Sequence, residues 1–342
     1  MKQVGLIFGG KSFEHDVSIE SAKNVFRHLN KIPDNTEFNV IPVYVDKKGY
    51  FHGERTSDAL LSGNTKVPEE FFYSKKTNFE PILQKVDIFF PMIHGRNGED
   101  GNLQGFLELS NKKYIGSKTL ASAICMDKAT SKDIMKCNGI VQANYFYFYL
   151  SKDEIKDCEF CENVIIQNGL TFPVFIKPSM TGSSIGISKV SNISELKNAL
   201  KSAARYDNKI LVEQGVKGRE IECAVAEIEG DIFSSIPGEI GYKSDFYDYQ
   251  AKYESAETIL SIPAKIPDFT IEEIRKTSEN LFKLFGLKDF ARIDFFLDGK
   301  KIVVNEINTI PGFTNSSMFP LLMEHSGYPV HKLLRDIILS YL

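Results

Sequence analysis

Apolar and polar positions along the chain recur with two periods. Val4 to Phe8 is a short unbroken apolar run, the pattern of a buried strand. Ile19, Ala22, Val25, Phe26 and Leu29 then recur at helical spacing, and Phe38 to Val45 returns to β-branched and aromatic residues. Strand, helix and strand in that order predict an α/β beginning on a parallel sheet. The stretch from Asp46 to Lys85 has little pattern; Val86 to Phe90 predicts another buried strand, followed by the loop His94 to Gly101. A second unit begins near Thr119, with a helical stretch through Met126 and Ile134 and an aromatic strand from Tyr145 to Tyr149. Its next strand, Pro173 to Lys177, runs into the turn Pro178 to Ser184. A third unit, from about Ile210, carries strands, a loop rich in aromatic and charged residues at Asp245 to Tyr253, a helix near Ile271 to Phe285 and two final helices. No repeat or low-complexity linker separates these units. The expected domains, 1–118, 119–209 and 210–342, should therefore pack closely with a site between them.

Composition narrows this picture. Set against a typical domain of roughly 150 residues, the 342 residues suggest two or three domains. With 41 basic and 45 acidic residues, a net charge of -4 and no long block of one sign, bulk nucleic-acid binding is excluded. The first apolar run is too short for a signal-peptide core and nothing later approaches a membrane span, so neither export nor a membrane is expected. Five irregularly spaced cysteines fit a reducing cytoplasm better than a disulfide framework. Cys158 and Cys161 form a CxxC pair, but no second ligand pair follows to complete a zinc site, so they are taken as reduced structural thiols.

Two clusters of residues point to chemistry. Gly5 to Ser12 fits the phosphate-loop pattern GxxxxGK[ST] to the letter, which raises a P-loop phosphotransferase as a reading. Leu6, Ile7 and Phe8 belong to the strand itself, however, which leaves only Gly9 to Ser12 for a loop. A tight turn is the better reading, and it places Glu14 just beyond the strand's carboxyl end, where it suits a substrate ammonium. The second cluster is C-terminal. Arg292 and Asp294 alternate with Ile293 and Phe295 on one strand, and Glu306 and Asn308 share one face of the next. Buried carboxylates without compensating charge are costly, and hard oxygen ligands of this kind suit magnesium beside nucleotide phosphates. A hairpin turning at Asp298-Gly299 alone would split Asp294 and Glu306 between faces. The shared site predicts instead a loop of about five residues with a bulge, so that Asp294 opposes Glu306 and Arg292 opposes Asn308. Gly312 permits close backbone approach, so its N–H could join Arg292 in holding an oxyanion.

Six blocks in order resemble the D-alanine:D-alanine ligase family of the ATP-grasp superfamily. They are Phe8 to Ser18, His94 to Gly101, Met126 to Lys128, Ile176 to Pro178 with Gly182 to Ser184, Tyr247 to Tyr253, and the C-terminal run. The resemblance covers essentially the whole chain. It implies an ATP-grasp fold, an N-terminal parallel α/β domain followed by two α+β domains that sandwich ATP, and an enzyme joining two D-alanine molecules through an acyl phosphate. By position, Lys128 and Lys177 resemble phosphate-contacting lysines and Lys252 the lysine near the transferred phosphate. Glu213, Gln214 and Val216 resemble the hinge at the adenine, and Glu220 the ribose ligand. Asp294, Glu306 and Asn308 resemble the ligands of two magnesium ions, for which manganese could substitute, and potassium could activate. Family members link Glu14, Ser183 and Tyr253 by hydrogen bonds, and Asp245 to Tyr253 is the natural lid. His94 looks like an orienting residue at the first substrate, with a hydrogen-bonded loop histidine as its other reading. Tyr253, in place of the lid histidine of depsipeptide-forming relatives, favours an amine nucleophile. Ser317 resembles the residue holding the second substrate's carboxylate. Met318 keeps the volume and apolar character of the usual leucine, which favours D-alanine over D-serine as second substrate. A homodimer through the N-terminal domain is also implied.

Overall fold

The structure is a computed structural model and describes residues 1–32, 35–62, 79–150, 165–241 and 259–342. The expected lid and the CxxC pair lie outside these residues. β1 (Lys2–Gly9), β2 (Phe38–Val45), β3 (Ile88–Pro91) and β4 (Lys113–Tyr114) form a parallel sheet in the order β2-β1-β3-β4. Both faces of this sheet are covered, which is why β1 reads as an unbroken apolar run. Leu6 and Phe8 face one core with the helix His15–Asn30, while Ile7, Ile41 and Val43 face another. Gly5 lies within β1 opposite Ile41, where a side chain would strike Val86, so the P-loop reading has no loop to stand on.

β5 (Tyr145–Tyr149), β6 (Val174–Pro178), β7 (Ser188–Val190) and β8 (Lys209–Gln214) make an antiparallel sheet in the order β5-β8-β6-β7. The helix Ile193–Ala203 covers it with Leu196, Ala199, Leu200 and Ala203, spaced for one helical face. Because Lys209–Gln214 is a central strand here, the expected boundary between 209 and 210 falls inside a strand rather than in a linker. β9 (Arg219–Ile228), β10 (Asp231–Ser234), β11 (Gly238–Gly241), β12 (Ile259–Ser261), β13 (Phe290–Asp298) and β14 (Lys301–Asn308) build the third sheet. Its order is β12-β11-β9-β13-β14, with β10 also pairing β9.

The cores do not follow chain order. The helical stretch expected through Met126 and Ile134 is two helices, Thr119–Met126 and Lys128–Cys137, broken at Asp127, whose carboxylate caps the second by accepting from the Thr130 N–H. Ala121, Cys125 and Met135 of this pair pack with Ile221, Ile293 and the helix Asp268–Leu284, against the third sheet rather than the central one. The last two helices, Met318–His325 and Val330–Leu339, place Phe319, Leu322, Leu333 and Ile337 in the same core as Leu6 and Phe8. The first and last segments of the chain are thereby bound together. Among the described residues no helix is long and apolar enough to cross a membrane.

Candidate active site

Two adjoining clefts lie between these layers. The smaller, of about 330 Å3, is lined by Glu14, His94, Arg292, Gly312, Ser317 and Met318 among others. The larger, of about 750 Å3, runs between the central and third sheets past Lys177, Glu213, Gln214, Val216, Glu220 and Asp294. Lys128, Ser183, Glu222 and Glu306 line both, so the two clefts share a wall. The structure thus gathers the expected site residues it describes around one junction. Tyr253 and Lys252 lie outside the described residues.

The C-terminal face has the expected pairing, reached by a different route. β13 and β14 pair Arg292 with Asn308 and Asp294 with Glu306. The expected loop of about five residues is absent: Asp298 pairs with Lys301, so the turn is only Gly299 and Lys300, with Gly299 at φ 60°. A bulge between Asp294 and Phe295, where Phe295 pairs with Val304, leaves Asn305 as the extra residue and restores the shared face. Arg292 forks onto Asp294, with Nε to Oδ1 at 2.7 Å and a terminal nitrogen to Oδ2 at 2.8 Å. Burial opposes the guanidinium charge, but Asp294 and then Glu222 more than offset it and raise its pKa further above the ordinary range. Lys128 approaches Glu306 at 3.6 Å and donates to the Thr181 carbonyl.

The donor set suits a hard cation that brings further oxygens with it. Asp294 and Glu306 offer carboxylates, and Asn308, whose amide donates to Asp294 at 3.0 Å, has only its carbonyl oxygen to give. Among the described residues no three His, Cys, Asp or Glu side chains converge as a metal cage. A cation here would need phosphate and water oxygens to complete its shell, as magnesium usually does.

At the other end of the smaller cleft, Glu14 is buried and accepts a hydrogen bond from the Ser183 hydroxyl, which ties the N-terminal domain to the central one. A Cβ on Gly95 would lie 2.2 Å from the Glu14 carboxylate and one on Gly182 2.9 Å from it, so both glycines are needed to admit it. Ser183 itself holds φ 49°, a left-handed backbone that turns its hydroxyl toward Glu14. His94 is hydrogen-bonded at both nitrogens, to the Ile310 carbonyl at 3.0 Å and to the Ser21 hydroxyl at 2.9 Å. It thereby braces the segment leading to Gly312. Ser317 pairs with Thr314, and a Cβ on Gly312 would meet the Ser317 hydroxyl oxygen at 2.8 Å. Met318 is buried against Gly238.

The larger cleft refines the expected hinge. Gln214 folds its side chain back onto Thr171 and Pro173, and the Glu213 carboxylate is buried between Lys132 and Lys177. A base at the expected hinge would then have to bond the backbone of this strand end, not these side chains. Burial pushes the Glu213 pKa up, but Lys132 and Lys177 outweigh it and hold the group at about 2.

Two residues at the site escaped the sequence reading. Glu222 sits one strand over from Asp294, and its only signal is alternation with Glu220. Lys132 lies one helical turn beyond Lys128, a spacing that marks a shared face. The phosphate-loop lookalike carries no weight at either cleft. Lys11 is exposed on the turn after β1, so Lys11→Ala should leave nucleotide affinity within about threefold of the parent in a calorimetric titration, a change too small for a lost phosphate contact.

Family models for the N-terminal and C-terminal regions of D-ala D-ala ligase match residues 3–117 and 134–339. The chain belongs to the D-alanine:D-alanine ligase family. It is 42% identical over 347 residues to the D-alanine:D-alanine ligase of Prochlorococcus marinus strain MIT 9312, covering 98% of this chain and 97% of the relative. It is 40% identical to the D-alanine:D-alanine ligase of Caldicellulosiruptor bescii, covering 98% and 94%. Among solved structures it resembles the VanG D-Ala:D-Ser ligase from Enterococcus faecalis, with a TM-score of 0.83, 32% identity and coverage of 100% and 99%. It also resembles the D-alanine:D-alanine ligase from Coxiella burnetii, with a TM-score of 0.82, 30% identity and coverage of 99% and 93%.

Proposed function

We propose that the chain joins two D-alanine molecules at the expense of ATP. The observation that carries this reading is the shared wall, where Lys128, Ser183, Glu222 and Glu306 face both an amino-acid-sized cleft and a nucleotide-sized one. ATP occupies the larger cleft with its γ-phosphate at that wall. Lys128 and Lys177 offset the repulsion between triphosphate and carboxylate, and cations at Asp294, Glu306 and Asn308 supply further charge neutralisation. The first D-alanine places its ammonium at Glu14. One carboxylate oxygen attacks the γ-phosphorus, the bond to ADP breaks, and an acyl phosphate forms. The second D-alanine is held by its carboxylate at Ser317, and its amine nitrogen attacks the acyl carbon. The carbonyl oxygen then carries negative charge, which Arg292 and the Gly312 N–H stabilise until phosphate leaves with the bonding pair and the amine loses its proton. Water must be excluded during the acyl phosphate's lifetime, since hydrolysis would waste it.

D-Serine as second substrate is the other reading, favoured by the likeness to a D-Ala:D-Ser ligase structure. Met318 argues against it: this buried thioether at the smaller cleft offers a serine hydroxyl only a weak acceptor. Purified protein with ATP and magnesium should release phosphate no faster with D-alanine plus D-serine than with D-alanine alone, and the ligated product should have the mass of the alanyl dipeptide. The reverse order would make D-serine the second substrate. Two magnesium ions replaceable by manganese, activation by potassium, a homodimer through the N-terminal domain and a cytoplasmic location complete this reading, drawn from the family resemblance.

A further inference from the structure

Three carboxylates stand in a row across adjacent strands of the third sheet. β9 pairs Glu222 with Asp294, and β14 pairs Glu306 with Asp294 from the other side, so Glu222, Asp294 and Glu306 share one face. The buried cation among them is Arg292. Its Nε lies 2.7 Å from Asp294 Oδ1 and 2.9 Å from Glu222 Oε2, and all three of these side chains are at most 11% exposed. The residue directly opposite Arg292 on β9 is Ala224, whose methyl group can anchor nothing. Each Asp294 oxygen has a lone pair beyond the one Arg292 uses, but an oxygen that ligates a cation gives up much of its charge and becomes a weaker acceptor. If Asp294 were its sole anchor, Arg292 would be held less firmly once a cation arrived.

We propose that Glu222 is a positioning residue that keeps Arg292 aimed into the smaller cleft when Asp294 turns to a cation. The inference rests on the ligase reading for what Arg292 does there and on the row of carboxylates for how it is held. In the arrangement described, the guanidinium charge is shared between two acids. A cation at the site would draw on the Asp294 charge while Glu222 keeps Arg292 neutralised, so neither group would be left unpaired. Removing Glu222 has two consequences. The cation must then compete with an Arg292 that has lost one of its two closest acids among the described residues, and Arg292 is left loosely held once the cation binds.

The test is Glu222→Gln, read by Mn2+ binding in the presence of ADP and by kinetics. The Mn2+ dissociation constant, from the resonance of the free ion, should rise about 3- to 10-fold, and kcat should fall at least about 10-fold even with Mg2+, ATP and D-alanine all saturating. Glu222→Asp, which keeps the charge, should recover part of the kcat loss. If saturating Mg2+ brings kcat of Glu222→Gln to within about threefold of the parent, Glu222 only adds charge for the cation and the proposal fails. Unchanged Mn2+ affinity sinks it equally. Should Glu222→Gln not fold, Glu222→Asp is read in its place, with a loss of kcat at saturating Mg2+ expected and none overturning the idea. Parent protein that binds Mn2+ and ADP but releases no phosphate with D-alanine would remove the ligase reading, while the Mn2+ titration would still decide the role of Glu222.

Discussion

Glu306→Ala is expected to lower kcat by at least about 10^3-fold while the protein stays folded, because a cation and positioned charges at a transferring phosphoryl group supply several kcal/mol of barrier lowering. Glu306 is on the wall shared by both clefts and directly opposite Asp294, the place where a cation would have to bridge nucleotide and protein. Its effect on folding runs the other way. Two carboxylates facing each other across paired strands repel, which offsets the loss of the Lys128 contact at 3.6 Å, and Glu306 is only partly buried, so its removal opens no cavity in a core. The melting temperature should therefore stay within a few degrees of the parent, or rise. Phosphate release with D-alanine and calorimetry on the same sample check both halves. Substantial turnover by Glu306→Ala would dissolve the shared cation site, and a collapse of the melting temperature would make Glu306 a structural residue instead.

The chain states some of this plainly and conceals the rest. The apolar run of β1 and the alternation at Arg292 to Phe295 are legible because a strand apolar on both faces and a strand with one apolar and one charged face leave different periods in sequence, even though both are buried. The face shared by Asp294 and Glu306 could be inferred, but not how it forms. A two-residue turn with a later bulge and a longer loop produce the same register at Asp294, and Asn305, the residue that decides between them, carries no distinctive chemistry. Packing partners were hidden for a similar reason. Ala121, Cys125 and Met135 announce that their helices have an apolar side, yet nothing local says that this side meets the third sheet rather than the central one. Buried charge was hardest to see. Lys132 and Glu222 look like ordinary solvated residues in sequence, and only the meeting of distant segments turns each into half of an ion pair.

Glu213→Gln is expected to cost on the order of 3 kcal/mol of stability at neutral pH, since breaking a buried ion pair strands the partner charges. Glu213 is buried with Lys132 on one side and Lys177 on the other, and Lys132 is itself almost fully buried. Burial already lowers the Lys132 pKa despite the carboxylate beside it, so without Glu213 this lysine can shed its proton and soften the loss. The pH dependence separates charge from packing. Glu213 is held at about 2, below its ordinary value of 4.5, so its contribution is fully present above about 4.5 and is lost as the pH falls toward about 2. Other carboxylates also titrate in acid, but they do so in parent and variant alike. The gap in melting temperature between the two should be steady from pH 7 to about 5 and close between about 4.5 and 2. A gap that survives unchanged at the acid end would assign the loss to packing. On the proposed reading the same carboxylate also holds Lys177 at the larger cleft, and Lys132 would keep Glu213 neutralised when a phosphate draws Lys177 away. Losing Glu213 should then raise KM for ATP about 3- to 10-fold, a binding defect that Glu306→Ala, whose loss falls on the chemical step, would not mimic.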